Sequence, residues 1–117
     1  MRILLVANTL FEFAVAIALI FFSPSLFQGQ ALTVAVARVL GGNALALGTL
    51  SLLMQGMTEP LQIRAGLIAL TVFHISVCII QVINFLDGSV PFPAVIAHLL
   101  FAISFTFFLR QHLSSGG

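Results

Sequence analysis

The chain has 117 residues, of which 61% are hydrophobic and only 6% charged, with a net charge of +1 and a mean hydropathy of +1.23. An ordinary water-soluble domain carries about 25% charged residues, whereas four arginines, no lysine and twelve phenylalanines leave nothing here to coat a water-facing surface, so apolar side chains must face lipid or other protein. The scattered arginines lack the clustered positive footprint of a nucleic-acid binder, and a lone cysteine, Cys78, excludes an intrachain disulfide, a CxxC pair and a four-thiolate zinc site.

A bilayer core about 30 Å thick is crossed by about 20 mainly apolar residues in a helix. Punctuation at Pro, Gly and charge yields four such segments, predicted at residues 3–22, 31–55, 62–86 and 93–110. The first segment is too long for a signal-peptide core, and Glu12 makes it too polar, so it is expected to stay as a span. The connections are Ser23-Pro24-Ser25-Leu26-Phe27-Gln28-Gly29-Gln30, Gln55-Gly56-Met57-Thr58-Glu59-Pro60 and Asp87-Gly88-Ser89-Val90-Pro91-Phe92-Pro93. All three are short and rich in turn residues, which makes consecutive helices antiparallel neighbours. The apolar runs lack the period-two alternation of membrane strands, while a helix satisfies its own backbone in lipid. The expectation is therefore an all-α, four-helix transmembrane bundle with up-down topology, a single domain over 1–117, and a frayed tail at Ser114-Ser115-Gly116-Gly117.

Orientation follows from charge. Arg2, Arg64 and Arg110 fall at three helix ends that lie on one side of a four-crossing chain, and Asp87 falls on the other. The positive-inside rule then places both termini in the cytoplasm.

Ionisable groups cost a few kcal/mol or more each in hydrocarbon, so they mark functional positions by default. Away from the helix ends there is one on each predicted span: Glu12, Arg38, His74 and His98. At 1.5 Å per residue, Glu12 and His74 lie about 16 Å from the outer helix ends, and Arg38 and His98 about 8–11 Å in. The four are candidates to line one outward-opening polar cavity. Helical spacing puts Asn8, Glu12 and Ala16 on one face of the first span, and Thr71, His74, Cys78 and Gln81 on one face of the third. On the second span, Ala37, Gly41, Ala44, Gly48 and Ser51 form a stripe of small residues that lets helix backbones approach closely, which makes Gly41, Ala44 and Gly48 the packing positions. Asn43 points away from Arg38 by more than a third of a turn and falls outside this set.

Each candidate has a plainer alternative. Glu12 and Arg38 serve equally well as a polar clamp between helices or as a ligand-binding or catalytic carboxylate with its cation. Side chains lean toward the helix N-terminus, so Glu12 leans inward and Arg38 outward, with room for a water or ligand between them. His74 and His98 are either hydrogen-bonded helix contacts or single axial ligands of haem iron or of a bacteriochlorophyll magnesium. Their depths differ by about 8 Å, which counts against one bis-histidine haem and leaves two separate sites or a proton relay. One intramembrane carboxylate without a Glu-x-x-His pair argues against zinc and di-iron. Cys78 in an apolar helix reads as a small hydrophobe. Phe101, Phe105 and Phe108 suit packing, lipid contact, or the face of a pigment, quinone or acyl chain.

The run Ala37-Arg38-Val39-Leu40-Gly41-Gly42-Asn43-Ala44-Leu45-Ala46-Leu47-Gly48, after a first helix with a buried polar residue, resembles the small four-helix bacterial membrane proteins grouped as DoxX-like. The likeness covers the topology of the whole chain. It implies a multi-pass protein of a bacterial inner membrane and a role for Arg38 at a polar pocket. Because a few members are associated with quinone-linked thiosulfate oxidation, it also implies a quinone or similar lipid-soluble ligand.

Two functional expectations follow. The first is a small non-enzymatic accessory subunit of a larger membrane complex, respiratory or photosynthetic, in contact with pigment, quinone or lipid. It rests on the apolar surface, the small extramembrane mass and the absence of Trp and Tyr, which usually anchor an isolated membrane protein at the interfaces. The second is a membrane-embedded ligand-binding protein or enzyme in which Glu12 and a histidine move a proton while Arg38 holds an oxyanion, with Gln81 beside them. A channel or transporter ranks below both, since four helices without broken segments or inverted repeats offer little pore.

Overall fold

The computed structural model describes residues 1–90 and 92–114; Pro91 of the third connection and the Ser115-Gly116-Gly117 end of the tail lie outside the described residues. The fold is all-α. Helices α1 (Arg2–Phe21), α3 (Ala31–Met54), α4 (Pro60–Leu86) and α5 (Phe92–Ser114) are each long and apolar enough to cross a membrane and fit a helical bundle, and α2 (Ser23–Leu26) is a single turn between the first two. Among the described residues there is no strand, as expected where backbone groups have no water to bond and must be satisfied within each segment.

The helix ends follow from local chemistry. Pro24 lies in the first turn of α2, where its missing N–H costs nothing, and the chain then turns back through Gln28 (φ 52°) and Gly29 (φ 72°). Pro60 opens α4, two residues earlier than the apolar run suggests. At the other end of α4, Gly88 adopts a φ of 80°. Its N–H bonds the carbonyl of Phe85 at 3.1 Å while the N–H of Ser89 bonds that of Asn84 at 2.8 Å, the paired reversal known as a Schellman motif. Asp87 secures the turn by accepting from both the N–H and the hydroxyl of Ser89. Helix α5 continues past Arg110 to Ser114, whose hydroxyl donates to the carbonyls of Arg110 (3.1 Å) and Gln111 (3.0 Å) and so satisfies part of the last turn.

Two compact units make up the chain, Arg2–Gly56 and Met57–Gly117, the second also taking in Met1. In the first unit, α1 packs on α3. The buried residues of α3 include Ala37, Gly41, Ala44, Gly48 and Ser51, and those of α1 include Asn8, Glu12 and Ala16. A Cβ on Gly41 would lie 2.8 Å from Ile20 Cγ1 and 3.2 Å from the Ala16 carbonyl, and one on Gly48 would lie 2.5 Å from the Phe13 ring. The backbones are therefore as close as glycine permits, which in lipid is the source of packing energy when apolar burial is no longer a driving force.

In the second unit, α4 packs on α5. Helix α4 buries Ile63, Gly66, Leu67, Leu70, Thr71, His74 and Cys78, whereas α5 buries only Val95, Ala102 and Phe105. Outward-facing residues in both units are overwhelmingly apolar, among them Ile3, Leu10, Leu32, Val39, Leu61, Ile79, Leu100 and Ile103. Such a surface matches a bilayer as solvent.

Candidate functional site

Polar side chains at membrane depth gather in two places. The first is a ladder between α1 and α3. Asn8 Nδ2 donates to Ser51 Oγ at 2.8 Å, Gln55 Nε2 donates to Thr9 Oγ1 at 3.4 Å, and Thr9 Oγ1 donates to the Leu5 carbonyl at 2.8 Å. Glu12, 1% exposed, lies one turn further along α1, where its Cβ would be 3.2 Å from a Cβ on Gly48. The chain can place a carboxylate here because glycine on the facing helix leaves room for it.

Arg38 lies elsewhere. It is exposed, and its Nε donates at 3.3 Å to the carbonyl of Ile20 in the last turn of α1. Ile20 is eight residues beyond Glu12, about 12 Å along the helix. The guanidinium thus meets a helix C-terminus, where carbonyls lack intrahelical partners and the helix dipole favours a cation.

The second place is an aromatic cluster in the α4–α5 unit. His74 is fully buried and His98 half-buried, and their Nδ1 atoms are 3.3 Å apart with ring centroids 5.5 Å apart. Phe101 and Phe105 stack on His74 at 5.0 and 5.4 Å, and the edge of Phe73 meets both imidazoles. The depth difference expected between the two histidines does not keep them apart. Residue counting locates Cα atoms along the helix axis, whereas an imidazole reaches several Å from its own Cα along the interface. Of the remaining phenylalanines, Phe108 is half-buried and edge-on to Phe107.

In a neutral pair, one ring donates its Nδ1–H and the other accepts at Nδ1, so one Nε2 has acceptor character and the other carries a proton. Such a pair has the connectivity of a proton relay, in which a proton taken up at the acceptor Nε2 would cross the Nδ1···Nδ1 contact and leave from the partner's Nε2–H. The same tautomer suits axial ligation, because a ligating imidazole generally donates its other N–H to a neighbour. No group of three or more His, Cys, Asp or Glu side chains that could hold a metal ion is present among the described residues.

The face of α4 that carries His74 also holds Thr71, Cys78 and Gln81; the first two are buried and Gln81 is half-buried. Thr71 Oγ1 and Gln81 Oε1 are buried atoms with no hydrogen-bond partner among the described residues. Leaving such atoms unpaired costs about 1–3 kcal/mol each.

Asn43, which points away from Arg38, is exposed at the centre of α3 with Gly42 beside it. No side chain lies within 4 Å of where a Gly42 Cβ would be. The Gly42-x-x-x-Ala46 spacing signals a second small-residue face, turned away from the first. In comparisons with known proteins, no family model, no curated protein and no solved structure matches this chain.

Proposed function

We propose that this chain is a small, non-enzymatic accessory subunit of a larger membrane complex, and that α3 docks on a neighbouring subunit through Gly42, Asn43 and Ala46. The observation that carries this reading is Asn43. Its carboxamide is exposed halfway along a membrane-spanning helix and has no hydrogen-bond partner among the described residues. Polar side chains at that depth are costly in lipid and act as glue between helices, and the adjacent glycine allows a close backbone approach. The imidazoles point to an assembly of the respiratory or photosynthetic kind, in which such side chains hold haem or chlorophyll.

Topology is part of the proposal. Successive spans alternate in direction, which the order of α1–α3 partners supports: Asn8 pairs with Ser51, Glu12 neighbours Gly48, and Ile20 meets Arg38. With Arg2, Arg64 and Arg110 on the cytoplasmic side, both termini are cytoplasmic; a bacterial inner membrane follows from the DoxX-like resemblance. Purification in mild detergent tests the subunit reading. The wild-type chain is expected to co-migrate with partner subunits, and Gly42→Leu or Asn43→Leu to lose them. A homogeneous wild-type monomer would overturn it.

A second reading is favoured by the His74–His98 contact. A pair that relays a proton from a buried to a half-buried ring suits a lipid-soluble proton acceptor such as a quinone. Solvent extraction and absorbance of the purified protein decide it: a stoichiometric quinone supports this reading, haem or chlorophyll bands support axial ligation, and neither removes both.

A further inference from the structure

The α4–α5 unit carries a groove of about 490 Å³ that the histidine chemistry does not use. One wall is a stripe on α5 made by Leu99, Ile103, Phe107 and Arg110, and Ile75 and Ile79 of α4 form the opposite wall. The volume lies within the range of ligand pockets, about 300–1,000 Å³. Its lining is apolar apart from one end. Cys78 is a small hydrophobe, and Thr106, which also lines the groove, turns its hydroxyl back onto the Ala102 carbonyl of its own helix at 2.7 Å. The exception is Arg110, whose side chain is exposed and has no ion-pair partner among the described residues.

We propose that this groove binds one acyl chain of an anionic phospholipid, with the phosphate held by Arg110. Length supports the assignment. Leu99 to Arg110 spans eleven residues, about 16 Å of helix, and one leaflet of a bilayer core is about 15 Å deep. A chain lying along the stripe therefore ends where a headgroup sits. Charge selects the headgroup, because a guanidinium presents paired N–H donors that match phosphate oxygens, and α5 has no acidic residue to compete. The α5 carbonyls that would repel an anion are partly neutralised by the Ser114 hydroxyl. A neutral quinone carbonyl accepts a hydrogen bond from a guanidinium but offers it no anionic charge to pair with.

Native mass spectrometry of the full chain in mild detergent, after addition of phosphatidylglycerol, phosphatidylcholine or palmitate, tests this. Wild type is expected to retain one phosphatidylglycerol, with about tenfold preference over phosphatidylcholine. Arg110→Gln should erase the preference, and Arg110→Lys should keep most of it. Ile103→Trp, on an exposed position of the groove wall, should reduce retention of every phospholipid. Circular dichroism of each variant confirms folding. Equal retention of both phospholipids by wild type, unchanged preference in Arg110→Gln, displacement by palmitate, or a second copy of the chain that phosphatidylglycerol does not displace would overturn the assignment.

Discussion

Arg38 donates from Nε to the carbonyl of Ile20 at 3.3 Å, so the one arginine deep within a span acts at the end of the preceding long helix. The α1 C-terminus has unsatisfied carbonyls and a partial negative charge, and Arg38 supplies a donor and a cation to it. An arginine side chain is long enough to reach that helix end while its own Cα stays deeper in the span.

The same contact sets the outcome of a double-variant experiment. Glu12 sits about 12 Å away along α1, and sites more than about 7–10 Å apart with no shared partner combine additively within about 0.5 kcal/mol. Glu12→Ala and Arg38→Ala should therefore add in detergent unfolding experiments. A double variant that loses clearly less than the sum would mean that the two groups share one cavity after all.

Helix packing offers a contrast within α3. Gly48→Leu drives a side chain into the Phe13 ring and the Glu12 Cβ, and overpacking of this kind costs about 1–3 kcal/mol or more. Leu47→Ala removes only a half-buried side chain and should cost about 1 kcal/mol or less. Gly42→Leu meets open space and should leave the isolated chain as stable as wild type. Thermal unfolding of the three variants ranks them, and equal midpoints for Gly48→Leu and Gly42→Leu would remove the close helix approach from the account.

The histidine contact should behave as a unit. His98→Leu deprives a fully buried His74 of a hydrogen-bond partner, at a cost of about 1–3 kcal/mol. His74→Leu combined with His98→Leu should cost less than the two singles together, by about 0.5–3 kcal/mol. Strictly additive losses would show that the imidazoles are held by other neighbours and that no proton passes between them.

Topology can be read with a thiol label. In a Cys78→Ala background, Ser89→Cys in the α4–α5 connection should react with an impermeant maleimide from the outer side, and Ser114→Cys should not. The reverse pattern would show that the arginine distribution does not orient this chain.

The sequence by itself determined the solvent, the number of long helices and nearly all of their limits. Those properties depend on run length, apolar content and the placement of Pro24, Gly29, Pro60 and Gly88, all of which act within a few residues of one another. The small-residue stripe was legible for the same reason, since 3.6-residue periodicity sets which side chains share a face. What tertiary structure alone decided is where the long polar side chains end. Arg38 and the two histidines each reach several Å from their own Cα, so position along a helix does not say whether Arg38 meets Glu12 or the Ile20 carbonyl, nor whether His74 and His98 touch. Asn43 shows the same limit from the other direction: its place at the middle of α3 was visible in the sequence, but its exposure depends on which face of that helix α1 covers.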